Sequence, residues 1–215
     1  MNRLPPLPPH LRPWAILAFG ILGGLGACGL TEAQWNRMGR EVAGPAPRTE
    51  RAERTAAPGQ SFSGTPRVID GDTMDVAGIR VRMQGIDAFE HDQQCPSPQG
   101  GRFACGLEAR NRLTALIGGR EVVCTPDGSL THGRTVASCT VQQGGQQGGQ
   151  QGGQLVDLNA EMVRSGLAFD CTRYSKGRYR DEEAEAKAAG AGAWAAGSRF
   201  TFPWSHRDRA GACGR

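Results

Sequence analysis

Arg67-Val68-Ile69-Asp70-Gly71-Asp72-Thr73-Met74-Asp75-Val76-Ala77-Gly78-Ile79-Arg80-Val81-Arg82-Met83-Gln84-Gly85-Ile86 is the stretch on which the fold turns. Arg67–Asp70 and Thr73–Val76 are short runs in which apolar residues alternate. From Ile79 to Ile86 the alternation of apolar and polar residues is clean, which argues for a half-buried strand. Ala77-Gly78 reads as a tight turn between two strands. In the strand that follows, Arg80, Arg82 and Gln84 share the face opposite Ile79, Val81 and Met83.

Downstream, Ala104 to Ile117 reads as a helix stopped by Gly118-Gly119. Glu121–Cys124 and Thr135–Val141 read as two more strands. Residues 142–154, repeating Gln-Gln-Gly-Gly, have almost nothing apolar to bury and are expected to form a mobile loop. Val156–Leu167 places Val156, Leu158, Met162 and Val163 at helical spacing, and the Ala- and Glu-rich stretch Tyr179–Trp194 is also helical. Five short strands, one inserted helix and two final helices predict an α+β fold: a small closed barrel with three helices packed on it.

Upstream, residues 28–64 lack a sustained apolar period and read as a linker. Trp14 to Ala27 is an apolar run too short to span a bilayer, which needs ~20 residues. It suits the apolar region of a signal peptide, residues 1–27. Leu25-Gly26-Ala27-Cys28 resembles a bacterial lipobox, which would make Cys28 the lipidated first residue of an exported envelope lipoprotein. An ordinary signal cleaved near Ala27, giving a secreted protein, and an uncleaved anchor are the alternatives. Without Cys28, six of the seven cysteines remain, an even number that suits an oxidising compartment. The expected pairs are Cys95–Cys105 within one loop, Cys124–Cys139 across a hairpin, and Cys171–Cys213 left over. The formal charge of +4 tolerates a polyanionic partner without requiring one.

Three short motifs carry chemistry. Asp70-Gly71-Asp72-Thr73 is ordinarily a strand–turn corner. It is not an EF-hand, since Asp75 stands at the sixth position and Val81 at the twelfth. Arg82 to Glu90 is ordinarily an ion pair, Arg82 with Asp87 or Glu90, beside a solvated loop. His132-Gly133-Arg134 is ordinarily a hairpin turn. Taken together they offer more. Asp72 and Asp87 would share one hard cation, with Ca²⁺ the suitable ion and Glu90 one water away. Arg82 and Arg134 would clamp phosphate oxygens with planar forks. That set matches metal-assisted hydrolysis of a phosphodiester.

Residues 66 to about 204 resemble the staphylococcal nuclease-like (thermonuclease) family. The resemblance rests on Val68-Ile69-Asp70-Gly71-Asp72-Thr73, on Arg82 with Gly85-Ile86-Asp87-Ala88 and Glu90, and on Gly133-Arg134. Asp157-Leu158-Asn159, Val163-Arg164-Ser165-Gly166-Leu167-Ala168 and Gly192-Ala193-Trp194 extend it. It implies a five-stranded barrel of the oligonucleotide-binding type with three α-helices over residues 65–204, followed by a tail, 205–215. It implies Ca²⁺ on Asp72, Asp87 and the backbone carbonyl of Ala88, and Asp70 supporting the site from behind. Glu90 would polarise the attacking water, while Arg82 and Arg134 would bind the scissile phosphate. DNA or RNA would be the substrate, a monomer would act, and 3′-phosphate ends would result. Phe89 stands where the family usually has Pro, and His132 where it usually has an aromatic residue. Phe169 and Tyr174 are candidates to stack on a base, although such rings are ordinarily core. The rival readings are a non-catalytic nucleic-acid or protein binding module and a structural envelope lipoprotein.

Overall fold

A computed structural model describes residues 55–144, 153–197, 199–209 and 211–214. The expected signal segment, Cys28, the linker up to residue 54 and the loop centre 145–152 lie outside the described residues. The strands are β1 (Phe62–Gly64), β2 (Arg67–Val68), β3 (Thr73–Val76), β4 (Ile79–Met83), β5 (Ile86–Ala88), β6 (Cys95–Pro96), β7 (Arg102–Phe103), β8 (Val122–Thr131), β9 (Arg134–Gln143), β10 (Gln154–Asp157) and β11 (Ala168–Asp170). The helices are α1 (Cys105–Ile117), α2 (Leu158–Arg164), α3 (Thr172–Ser175), α4 (Arg180–Ala189) and α5 (Pro203–His206), with a short 3₁₀ helix at Gly192–Ala196.

The main sheet runs β1-β8-β9-β4-β3-β2, with β10 added to β9. β4 and β9 are parallel, and the other pairs are antiparallel. Alternation sends Thr135, Ala137, Cys139 and Val141 of β9 inward, where they meet Val81 and Met83 of β4 and Met74 and Val76 of β3. The turn between β3 and β4 is Ala77-Gly78, with φ of 50° and 83°. Two-residue hairpins whose twist matches the strands use positive φ at both positions.

The α+β class is observed, but the barrel is not closed. The sheet ends at β1 and β2 with no ladder between them. β2 has only two residues, and Pro66 before it has no N–H to give. Eleven strands and five α-helices are present among the described residues, where five and three were expected. The additional strands, β1, β5, β6, β7, β10 and β11, have two to four residues each, too short for a period to register. The linker also ends sooner than expected, because Phe62 to Gly64 pair with β8 and Gly59 N–H reaches Pro126 O at 3.3 Å. The ends of the glutamine–glycine segment are strand, with Gln143 opposite Gln154.

Helix placement is close to the sequence reading. α1 stops at Gly118, whose amide donates to Thr114 O at 2.9 Å. α2 begins two residues later than the apolar spacing suggests, because Asp157 caps it by accepting from the Asn159 and Ala160 amides at 2.9 and 3.2 Å. Buried Asn159 then ties α2 to β9 and to the turn between β4 and β5, accepting from Cys139 N and donating to Gln84 O. The helix expected over Tyr179–Trp194 breaks at Gly190, and the 3₁₀ segment drops Trp194 inward.

Within the expected tail, residues 205–209 and 211–214 are described, and they are tied to the rest of the domain. Disulfides join Cys95 to Cys105, Cys124 to Cys139, and Cys171 to Cys213. Cys213 O accepts from Thr172 Oγ1 at 3.0 Å and from Arg173 N at 3.2 Å. Upstream of it, Phe200, Phe202 and Trp204 pack on Phe169, with ring centres 5.2, 5.0 and 6.0 Å away. Phe89 and Trp194 complete that cluster.

Candidate active site

Four elements and one bend bring the site together. Asp70 and Asp72 lie in the bend before β3, held because Asp72 N–H donates to Asp70 Oδ1 at 3.0 Å. β3 pairs with β4 so that Thr73 lies opposite Arg82, and Met83 N–H donates to Asp72 O at 2.8 Å. β5 carries Asp87, and the chain leaves it through Phe89 to Glu90. Thr131-His132-Gly133-Arg134 turns the hairpin from β8 to β9, with positive φ at His132 and Gly133. Asp70, Asp72, Arg82, Asp87, Glu90 and Arg134 all line one cleft of about 630 Å³.

Arg82 is the hub. Its Nη1 donates to Asp72 Oδ1, and its Nη2 donates to Asp87 Oδ1 at 2.5 Å and Ile86 O at 3.3 Å. The sequence offers Arg82 an ion pair with Asp87 or Glu90 as well as a phosphate; here its terminal nitrogens meet Asp72 and Asp87. The other oxygen of Asp72 accepts the Ala88 amide at 2.8 Å, so Ala88 meets Asp72 through its N–H. Burial pushes the Asp72 carboxyl up to about 7; Arg82 opposes this, and the charges of Asp70 and Asp87 add to it. Burial would also loosen the proton on Arg82, but the attraction of Asp72 and Asp87 outweighs it and holds the charge firmly.

Arg134 differs. It donates from Nε to Thr131 O and from Nη1 to Thr73 Oγ1, both at 3.3 Å, and forms no ion pair among the described residues. Burial lowers its pKa, and neighbouring Arg82 and Arg207 add to the effect. A half-buried guanidinium with no carboxylate partner, beside two others, is suited to receive an anion.

Two assignments made from sequence change, one by loss and one by gain. Phe169 is fully buried at the centre of the aromatic cluster, so it cannot stack on a base; all three residues of β11 face core. Tyr174 is 60% exposed on the cleft wall. The gain is Arg207, which lies in the segment expected to be a tail. Its Nη2 donates to Asp87 Oδ2 at 2.5 Å, and its Nη1 donates to Asp87 Oδ1 at 3.2 Å and to Glu90 Oε1. The apolar run Phe200-Thr201-Phe202-Pro203-Trp204, ahead of a cysteine in need of a partner, is the sequence signal that this segment packs.

Asp72 and Asp87 are the oxygen donors a hard cation would take. No ready-made group of three or more His, Cys, Asp or Glu is gathered for a metal among the described residues. Asp87 shares both oxygens with arginines, and since a carboxylate has about four lone-pair sites, a cation there would share Asp87 with the guanidinium groups.

The family model for staphylococcal nuclease homologues matches residues 80–196. That span takes in Arg82, Asp87, Glu90 and Arg134 but neither Asp72 nor Arg207. The chain is 33% identical over 142 residues to the succinoglycan biosynthesis protein ExoI of Rhizobium meliloti (strain 1021), over 66% of this chain and 69% of the relative. It is 38% identical over 117 residues to the micrococcal nuclease of Shigella flexneri, over 51% of this chain and 58% of the relative. On the match over more than half its length and the shared length with these relatives, the chain belongs to the staphylococcal nuclease homologue family.

Proposed function

We propose that the protein is a Ca²⁺-dependent nuclease that hydrolyses phosphodiester bonds of DNA or RNA and leaves 3′-phosphate ends. The observation that carries this reading is Arg134: a guanidinium without a carboxylate partner on the same cleft as Glu90 and the Asp72–Asp87 pair. Arg134 binds the non-bridging oxygens of the scissile phosphate and stabilises the charge that builds there. Glu90 orients the attacking water and takes its proton. The donor set suits the cation: burial raises Asp72 most, the like charges of Asp70 and Asp87 add to it, and a divalent ion would relieve that conflict. Ca²⁺ on Asp72, Asp87 and the Ala88 carbonyl would supply Lewis-acid stabilisation of the phosphate. Tyr174 offers an exposed ring for a base.

The test is degradation of single-stranded DNA and RNA by the oxidised protein, with Ca²⁺ against excess chelator. Arg134→Ala and Glu90→Gln are each expected to lower turnover by at least ~10²-fold, the scale for losing a group that stabilises a transition state. A folded protein that binds nucleic acid without cutting it would instead make this a binding module. The three disulfides support an oxidising compartment, in line with the lipid-anchored export proposed from Cys28. Mass spectrometry of the mature N-terminus tests that part.

A further inference from the structure

The turn that carries Glu90 has no proline to stiffen it; Phe89 precedes Glu90 instead. Three other restraints hold it. Phe89 is buried, edge-on to Phe169 and Phe200 at 5.1 and 5.7 Å. Buried Gln93 folds the turn back, its amide donating to Glu90 O at 2.8 Å and its side-chain oxygen accepting from Glu90 N at 3.2 Å. Gln93 Nε2 then donates to Thr201 O at 2.6 Å. Two of these partners, Phe200 and Thr201, belong to the C-terminal segment. The same segment supplies the third restraint, from Arg207 to the Glu90 carboxylate itself. Arg207 stands 117 residues away in the chain, and the Cys171–Cys213 disulfide fixes the segment six residues beyond it. Among the described residues, no other cation pairs with Glu90.

We propose that Arg207 is a positioning residue for the reaction: it bridges Asp87 and Glu90 and sets the Glu90 carboxylate where the attacking water must sit. The inference rests on the nuclease reading. Arg207 has a bidentate hold on Asp87, which is itself fixed in β5 and braced by Arg82, so the bridge transmits a rigid position to Glu90, which is one-third exposed. Lysine has a single point charge and cannot span both acids in this way. Arg207 is therefore distinct in role from Arg134, which makes no contact with either acid.

A double-mutant cycle separates this from a structural role and from direct phosphate binding. Steady-state kinetics on one DNA substrate are compared for the wild-type chain, Arg207→Ala, Arg207→Lys, Glu90→Gln and the Arg207→Ala/Glu90→Gln double variant, with thermal unfolding of each. The expected result is a ~10-fold or larger fall in kcat for Arg207→Ala with KM nearly unchanged, only partial recovery in Arg207→Lys, and no additional loss when Glu90 is already Gln. Equal losses in both backgrounds would overturn the proposal, since Arg207 would then act without Glu90. A rise in KM alone would also overturn it and make Arg207 a substrate-binding group, and a kcat loss that tracks unfolding would reduce it to a structural residue. Inactive wild-type protein would overturn the nuclease reading itself, whereas active wild type with additive variants overturns only the role given to Arg207.

Discussion

Asp72 is shut away from water and keeps Arg82 on one oxygen, the Ala88 amide on the other, and a donated bond from Thr73 Oγ1 at 3.1 Å. Burial lifts its carboxyl from 3.8 to about 7. Between those values the folded state holds a proton that the unfolded state has released. In the cation-free protein the contribution of Asp72 to stability is therefore most favourable below about pH 4, falls as pH rises, and levels off above about pH 7. A cation needs the ionised acid, so stabilisation by Ca²⁺ should be greater at about pH 8 than at about pH 5. Thermal unfolding with and without Ca²⁺ at both pH values checks this, and Asp72→Asn should abolish the difference. An equal shift at both pH values would count against Asp72 as a ligand. At this scale the motifs put Asp70, Asp72, Arg82, Asp87, Glu90 and Arg134 in one neighbourhood, and they line one cleft. Partners were legible in part: the ordinary reading of the motif pairs Arg82 with Asp87, as observed, but strand alternation does not show that the reach of the side chain also brings it to Asp72. Arg207 was out of sight because no local motif links residue 207 to residue 90.

At the scale of elements, α1 bears directly on the chemistry. A Cβ added at Gly106, in its first turn, would lie 1.7 Å from Glu90 O. The helix start thus rests on the turn that carries Glu90, and the Gly106 amide donates to Gln93 O at 3.2 Å. Gly106→Ala must push helix and turn apart. The expected cost is about 1–3 kcal/mol of stability, the scale of overpacking a filled site. Denaturant unfolding measures it, and a kcat loss larger than the fraction unfolded is expected alongside. Gly106 had no marker in the sequence, since a glycine early in a helix usually signals little more than a weak start. The hairpin turns were legible, because Ala77-Gly78 precedes a clean alternation and Gly133 precedes the strand read from Thr135, although β8 runs on to Thr131, beyond the Cys124 at which the sequence reading stopped it. β5 and β11, which carry Asp87 and Phe169, were not: three residues cannot display a period, and here all of them are buried.

For the molecule as a whole, the disulfides divide the labour of holding the chain. Cys124–Cys139 staples neighbouring strands, while Cys171–Cys213 closes a separation of 42 residues. In the chain-entropy model the longer loop contributes about 4 kcal/mol, against about 3 kcal/mol for the shorter one. Replacing Cys171 and Cys213 together by Ser should lower stability toward that value and reduce activity more than replacing Cys124 and Cys139. Calorimetry and turnover on the two variants check the comparison; equal activity loss would leave the longer bridge without a special link to the site. The overall class was legible because alternating strands precede helical spacings. The open sheet was not, since closure depends on whether two short edge strands meet. Arg207 and Cys213 follow every other residue of the site along the chain, and that order bears also on timing. A nascent polypeptide carries Asp72, Arg82, Asp87, Glu90 and Arg134 long before it carries Arg207. On the role proposed for Arg207, full turnover waits for Arg207 and Cys213 to be synthesised and for two thiols to be oxidised, so a chain that has not reached them, or is still reduced, would spare the nucleic acids of the cell that makes it.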